Sequence, residues 1–292
     1  MHSRASRTTR RRRIREMGAG PEPAGTDGAP PVVCCDLDGV IWRGDEPIAG
    51  AADAVTALRA AGCTVGFMSN NSSVPVAEVA AKLGRFGIPV PEAHVLTSAM
   101  AAADLLLDTM PPPGRVLACA GPGVVEAVTA AGYDVVAEGP VDAVVVGFHR
   151  TFDFDGLQRA ADAVRAGARF VATNLDATYP IPGGLLPGAG SIVAAVATAS
   201  GRTPEVAGKP AAPAATMVRH RLGDRGVMVG DRPTTDGALA DQLGWPFALV
   251  LSGVASRTPG PGEEPVPDPP PPFVGDDLLA LVPSLVAALV PA

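Results

Sequence analysis

Two aspartates one residue apart, Asp36 and Asp38, close the apolar run Val32-Val33-Cys34-Cys35 and are followed by Gly39. Side chains alternate along a strand, so both carboxylates can face the same way. Like charges that close repel unless a cation neutralises them or one carries a proton. The plainer reading is a polar strand end and a turn, which also favours Asp and Gly. Three later stretches have the same character: Ser69-Asn70-Asn71, Gly208-Lys209-Pro210, and Gly230-Asp231 through Thr235-Asp236. Together they offer carboxylates, an ammonium, a hydroxyl, two amides and loop N–H groups. Such a set suits a divalent cation and a phosphoryl group. Mg²⁺ takes oxygen ligands, and phosphoryl transfer needs mainly positioning and charge neutralisation.

These residues meet only if each closes a parallel strand, since the C-terminal strand ends of an open α/β sheet form one crevice. The chain reads that way. The strand at 32–38 is followed by a helix at Ala51–Ala61, with Val55 and Leu58 inward and Gly62 as its stop. A strand at Thr64–Met68, a helix at Ala77–Phe86, a strand at His94–Thr97 and a helix at Ala99–Leu107 come next. Regular strand–helix alternation predicts a parallel sheet with right-handed crossovers. The break Met110-Pro111-Pro112-Pro113-Gly114 precedes a second run of alternation, which predicts an α/β unit inserted at about 98–187. The Pro/Gly-rich segment Pro180–Gly190 leads back to the first unit. Residues 257–272 are Pro-rich and read as an exposed linker, before a last strand at Phe273–Gly275 and a closing helix.

Composition narrows the function. The chain has 292 residues, 47% of them apolar, enough for a large core. No apolar run reaches the roughly 18 residues of a membrane span. Residues 1–17 carry seven Arg and one Glu, about +6 against a total of −7, so the remainder is about −13. An acidic body argues against nucleic-acid binding. Residues 1–30 lack the apolar stretch of a secretory signal and read as a disordered Arg-rich tail, with Met17 an alternative start. Cys34, Cys35, Cys63 and Cys119 lack metal-ligand spacing and read as buried free thiols in a reducing cytoplasm. Arg outnumbers Lys 21 to 2, and Asn70, Asn71 and Asn174 are the only asparagines. Lys82 and Lys209 therefore stand out as placed residues.

The ordered set Asp36-Leu37-Asp38-Gly39-Val40, Ser69-Asn70-Asn71, Gly208-Lys209-Pro210 and Gly230-Asp231…Thr235-Asp236 resembles the haloacid dehalogenase superfamily. The large insert is similar to that of the NagD-like, 4-nitrophenylphosphatase and phosphoglycolate or glycerol-phosphate phosphatase class. Thr97-Ser98-Ala99-Met100, Ala172-Thr173-Asn174-x-Asp176, Leu186-Pro187-Gly188-Ala189-Gly190-Ser191 and Leu249-Val250-Leu251-Ser252-Gly253-Val254 extend the likeness over about residues 32–254. It implies a Rossmann-like doubly wound parallel sheet core at 31–97 and 188–292, with an α/β cap domain at 98–187. Pro233 and Gly237 depart from the family's usual residues without removing a catalytic group.

The resemblance also implies roles. Asp36 would be the nucleophile that forms an aspartyl-phosphate, and Asp38 the acid that protonates the leaving alcohol and later the base for water. Mg²⁺ would sit on Asp36, the Asp38 carbonyl and Asp231. Lys209 would offset charge, and Ser69, Asn70 and Asn71 would hold phosphate oxygens. Asp236 would orient Lys209 rather than bind the metal directly, and Asn174 and Asp176 would face substrate. Plainer readings stand beside these: a helix N-cap for Ser69-Asn70-Asn71, a turn for Gly208-Lys209-Pro210, a helix cap for Asp236, and turn formers for Asn174 and Asp176. The expected activity is Mg²⁺-dependent hydrolysis of a small phosphorylated metabolite in the cytoplasm, with no nucleic-acid or membrane partner and with homodimer pairing through the cap. A phosphotransferase or mutase using the same intermediate, and a phospho-accepting signalling module, are the alternatives; Asp38 and the insert argue against the second. Dehalogenation is disfavoured by the second acid.

Overall fold

The apolar run before Asp36 becomes the inner strand of a parallel sheet, and burial on both faces explains why it holds no charged residue. The computed structural model describes residues 29–181 and 184–290. All but the last two residues of the expected Arg-rich tail lie outside the described residues. The first part of the chain forms β1 (Val32–Cys35), the short antiparallel strands β2 (Trp42–Arg43) and β3 (Glu46–Pro47), α1 (Ala51–Ala60), β4 (Thr64–Ser69), α2 (Val76–Arg85), β5 (Val95–Thr97) and α3 (Ser98–Thr109). The middle part forms β6 (Arg115–Cys119), α4 (Pro122–Ala130), β7 (Asp134–Val135), β8 (Ala143–Val146), α5 (Phe154–Arg165) and β9 (Arg169–Ala172). An antiparallel hairpin of β10 (Thr178–Ile181) and β11 (Gly184–Pro187) follows, then α6 (Ala189–Ser200) and β12 (Glu205–Val206). The last part forms α7 (Ala212–Leu222), β13 (Gly226–Gly230), a wide π-helical turn at Pro233–Gly237, α8 (Ala238–Leu243) and β14 (Phe247–Val250). It ends with the parallel pair β15 (Ala255–Ser256) and β16 (Glu264–Pro265), then β17 (Phe273–Gly275) and α9 (Leu278–Leu289).

The first sheet has the order β17-β14-β13-β1-β4-β5, every pairing parallel. The chain moves from β1 to β4 on one side and later takes up β13 on the other. The order therefore reverses at β1, and a crevice opens beyond the ends of β1, β4 and β13. The period-two alternation splits the sheet's side chains. Val33, Cys35, Val65, Phe67, Val227 and Val229 pack with α1, α2 and α9, including the expected Val55 and Leu58. Val32, Cys34, Met68 and Met228 pack with α3, α7 and α8. All four cysteines are buried free thiols.

The second sheet, β12-β9-β8-β6-β7, is also wholly parallel. Val144, Val146, Phe170 and Ala172 carry α5 and α6 on one face. Val116, Ala143, Val145 and Val171 on the other face join the apolar cluster that contains α3 and the first sheet. The expected return to the first unit at residue 188 is corrected here, because α6 packs on the second sheet and β12 is its edge strand. The expected start at 98 also needs revision. In α3, Ala101, Ala102, Ala103 and Leu106 are all buried, and the helix packs against both α4 and α7. A helix apolar on several faces serves two layers at once.

The Pro-rich linker is corrected too. Within 257–272, β16 pairs with β15, and Glu264 accepts hydrogen bonds from Thr234 N (3.0 Å) and Oγ1 (2.7 Å). This segment is exposed but tied to the loop after β13. No helix among the described residues is long and apolar enough to cross a membrane. Truncation of fully buried Leu106 in α3 strikes the shared cluster. Leu106→Ala is expected to cost about 2–5 kcal/mol in urea unfolding, and a loss under about 1 kcal/mol would show that α3 does not join the two layers.

Candidate active site

Three strand ends deliver carboxylates or hydroxyls to the crevice: Asp36 after β1, Ser69 at the end of β4 and Asp231 after β13. The loop after β12 brings Lys209. The Lys209 ammonium lies 2.6 Å from Asp36 Oδ1 and 2.6 Å from Asp236 Oδ1, with all three residues buried. Burial by itself would lower the lysine's pKa, but Asp236 and Asp36 outweigh it and hold it above the ordinary value. Both oxygens of Asp236 have a partner, since its Oδ2 accepts from Arg232 N at 3.1 Å. It is thus held against the Lys209 ammonium from one side and the loop backbone from the other. A buried ion triad of this kind is costly to break, because a lost partner leaves uncompensated charge.

Asp231 is different. Its Oδ2 accepts from Val254 N at 2.6 Å, but its Oδ1 is buried without a hydrogen-bond partner. Burial, with Asp236 nearby, pushes its pKa up to about 7. An orphaned buried carboxylate oxygen is expensive unless something positive meets it. Asp36, Asp231 and Asp236 each bring one oxygen within 4.8 Å of the others. Burial raises Asp36 as well, against the pull of Lys209. A divalent cation on Asp36 and Asp231 fits this donor set, and its charge would reverse both shifts. Gly39 makes room for the arrangement: its φ is +83°, and a Cβ there would fall 2.3 Å from Asp231 Oδ2.

The Asp38 carboxylate lies outside this cluster. Its Oδ1 accepts from Trp42 Nε1 at 2.9 Å and from the Tyr179 hydroxyl at 3.0 Å. Burial raises its pKa, and those two hydrogen bonds oppose the rise. The two aspartates thus sit in different surroundings, one beside an ammonium and one beside neutral donors.

The loop after β4 is shaped by its own side chains. Ser69 Oγ accepts from Asn71 N, and Asn71 Oδ1 accepts from Ser73 N and Oγ. None of these residues caps α2, whose N-cap is Pro75 with no side-chain bond. Asn70 is a junction. Its Oδ1 accepts from Lys209 N at 2.8 Å, and its Nδ2 donates to Lys209 O and to both Asp176 oxygens. Its own carbonyl accepts from Ser98 Oγ and Asn174 Nδ2. Asn174 Oδ1 takes Asp176 N, so Asn174 also builds a turn. Ser72 and Thr173 share a buried hydroxyl–hydroxyl bond across the same seam.

Asp36, Asp38, Ser69, Asn70, Asn71, Asn174, Asp176, Lys209 and Asp231 all line one cleft, and Asp236 lies beneath it. The cleft has further walls that the sequence did not single out: Phe148, Tyr179 and Arg232. Their signals were faint. Tyr179 is one of two tyrosines, and Arg232 sits inside a quoted motif.

Charge of this kind, at the switch point of a doubly wound sheet and walled by a second α/β unit, suits a phosphoryl-type anion and a metal ion. A family profile described as haloacid dehalogenase-like hydrolase matches residues 33–134, and a HAD-hydrolase-like profile matches 206–281. The D-glycerol 3-phosphate phosphatase of Mycobacterium tuberculosis is 41% identical over 250 residues, covering 84% of this chain and 69% of the relative. The glycerol-3-phosphate phosphatase of Gallus gallus is 34% identical, covering 76% and 79% respectively. A crystal structure of the glycerol phosphate phosphatase of Mycobacterium tuberculosis in complex with magnesium superposes with a TM-score of 0.76 at 38% identity, covering 86% of this chain and 74% of that one. The chain belongs to the haloacid dehalogenase superfamily of hydrolases.

Two outcomes follow from the charge arrangement. Lys209→Met strands two buried carboxylates and is expected to cost about 3–5 kcal/mol in denaturant unfolding. Mg²⁺ at about a hundred times its Kd is expected to stabilise the native chain by about 2.7 kcal/mol, read as a rise in Tm, and Asp231→Asn is expected to remove that rise. A full rise in the Asp231→Asn variant would place the cation elsewhere.

Proposed function

We propose that the chain is a Mg²⁺-dependent phosphomonoesterase that hydrolyses a small phosphate ester, with polyol phosphates of the glycerol phosphate type as its substrate class. The observation that carries this is the pairing of two unlike aspartates: Asp36 held by Lys209 beside the unpartnered oxygen of Asp231, and Asp38 held by neutral donors across the cleft. Mg²⁺, when bound, supplies positive charge to the phosphoryl oxygens and to the nucleophile.

The remaining chemistry belongs to the protein. Asp36 attacks phosphorus in line and becomes an aspartyl-phosphate. Asp38 gives its proton to the leaving oxygen, then takes one from the water that hydrolyses the acyl phosphate. Lys209 offsets the charge gathered around Asp36. The Ser69 hydroxyl and the loop it opens, Asn70-Asn71, lie where phosphoryl oxygens would be held, with the Ser69 Oγ fixed by the Asn71 N–H. Asp176 and Asn174, at the far wall, face the alcohol portion, with Asp176 an acceptor for its hydroxyls. The boundaries that suit this function are a first unit at 31–97 and from about 207 onward, with the second unit between and α3 shared.

The enzyme's setting is a reducing compartment, the cytoplasm, which accords with four buried free thiols. Pairing through the second unit accounts for its exposed apolar side chains: Val125, Phe154, Leu175 and Leu185, four of the five large ones exposed among the described residues. Light scattering that returns a monomer mass at working concentrations would remove that pairing.

A panel of phosphate esters, assayed for released phosphate with and without Mg²⁺, tests the reading. Polyol phosphates are expected to rank first, EDTA to abolish release, and Asp36→Asn to leave no turnover. Asp38→Asn is expected to slow alkyl phosphates by about 10²–10⁴. Turnover that survives EDTA would overturn the Mg²⁺ dependence, and an Asp36→Asn variant that remains active would overturn the covalent mechanism.

A further inference from the structure

The two hydrogen bonds to Asp38 converge on one oxygen from opposite walls of the cleft. Trp42 Nε1 comes from the β2–β3 turn of the first unit, and the Tyr179 hydroxyl from the β10–β11 hairpin of the second. Both land on Oδ1, whereas Oδ2 has no hydrogen bond among the described residues. A carboxylate oxygen offers two in-plane lone pairs. Two donors at 2.9 and 3.0 Å fill them.

Both donors are braced. The Tyr179 ring stacks on Phe148 with centroids 6.4 Å apart and planes at 21°. The Trp42 ring carries the Lys82 ammonium 4.5 Å above its centroid, and that ammonium also donates to Gly44 O at 2.6 Å, pinning the β2–β3 turn. Lys82, the other of the chain's two lysines, thus also acts on an aspartate of the Asp-x-Asp pair, at one remove.

We propose that Tyr179 is a positioning residue of the hydrolysis: with Trp42 it occupies Oδ1 of Asp38, so that Oδ2 alone carries the transferable proton and faces the leaving oxygen. The proposal rests on the acid/base reading of Asp38 given above. In the transfer, the Oδ2–H bond and the ester P–O bond break together while Asp36 Oδ2 or Oδ1 bonds to phosphorus. The proton and the electron pair of the P–O bond both end on the leaving oxygen, which departs as a neutral alcohol. Asp38 is left as the carboxylate that later accepts a proton from water. Because Tyr179 belongs to the second unit, the acid is correctly turned only where that wall is seated on the crevice.

The test is the ratio of kcat/KM for an alkyl phosphate, glycerol phosphate, to that for p-nitrophenyl phosphate, whose leaving phenolate needs no proton. Tyr179→Phe keeps the ring and its stacking on Phe148 but removes the donor. The ratio is expected to fall about tenfold or more, a part of the 10²–10⁴ that a positioned acid contributes, and Trp42→Phe is expected to lower it in the same sense. An unchanged ratio, whether both rates fall together or neither does, overturns the proposal. Asp38→Asn run alongside separates the two levels. If it lowers the ratio and Tyr179→Phe does not, only the role of Tyr179 fails. If Asp38→Asn leaves the ratio unchanged, the acid/base reading itself fails.

Discussion

The Lys209 ammonium sits between Asp36 and Asp236, and the rest of the structure is arranged to make that tolerable. Charges with so little exposure are costly alone, and each carboxylate needs the lysine as much as the lysine needs them. Asp236 is held at a second oxygen by Arg232 N, at the entry to the π-helical turn. The lysine backbone is gripped on both sides by the amide of Asn70. Strand β1 brings Asp36 to this point because its four residues are buried between two sheet neighbours and two helical layers. This charge distribution is thus also a packing problem. The sheet places the groups, and the loops between strand and helix supply the backbone donors that keep each charge satisfied.

The electrostatic division between the two aspartates comes from their neighbours. Asp36 lies among an ammonium and two further carboxylates, an environment that calls for a divalent cation. Asp38, two residues on, meets an indole N–H and a phenol instead. Neutral donors orient a carboxyl group without fixing its charge as strongly as an ammonium would. One strand end thereby yields a group suited to attack and a group suited to carry a proton.

Much of the core was legible in the sequence, because strand-sized, unbroken apolar runs ending in Asp, Ser or Gly mark strands buried on both faces. Asp36, Ser69 and Asp231 were found by that route and Lys209 by the scarcity of lysine, and the structure brings them to one crevice. Tyr179 and Trp42 were not, since their role is a meeting of two turns 137 residues apart in the chain. The hairpin strands β2, β3, β10 and β11 run two to four residues, too short for periodicity to show, and all but β2 contain Pro or Gly. The limit of the second unit was misread for a different reason. A two-residue strand such as β12 belongs to whichever sheet its backbone pairs with, and nothing in Glu205-Val206 names that partner. The Pro-rich stretch at 257–272 has the composition of a linker, yet Glu264 anchors it to Thr234.

Helix α3 has a bearing on how such proteins diversify. An insert joined to its host by two flexible strands of chain could be exchanged whole, carrying its own specificity into a new lineage or a designed chimera. Here the graft would fail at the root. The helix that begins the insert also completes the host's interior, and its residues answer to α4 on one flank and α7 on the other. A change of alcohol preference by recombination must cut downstream of α3 and then re-match α4 to it. Point substitution along the cleft wall is the shorter road, and it leaves the ancestral scaffold intact.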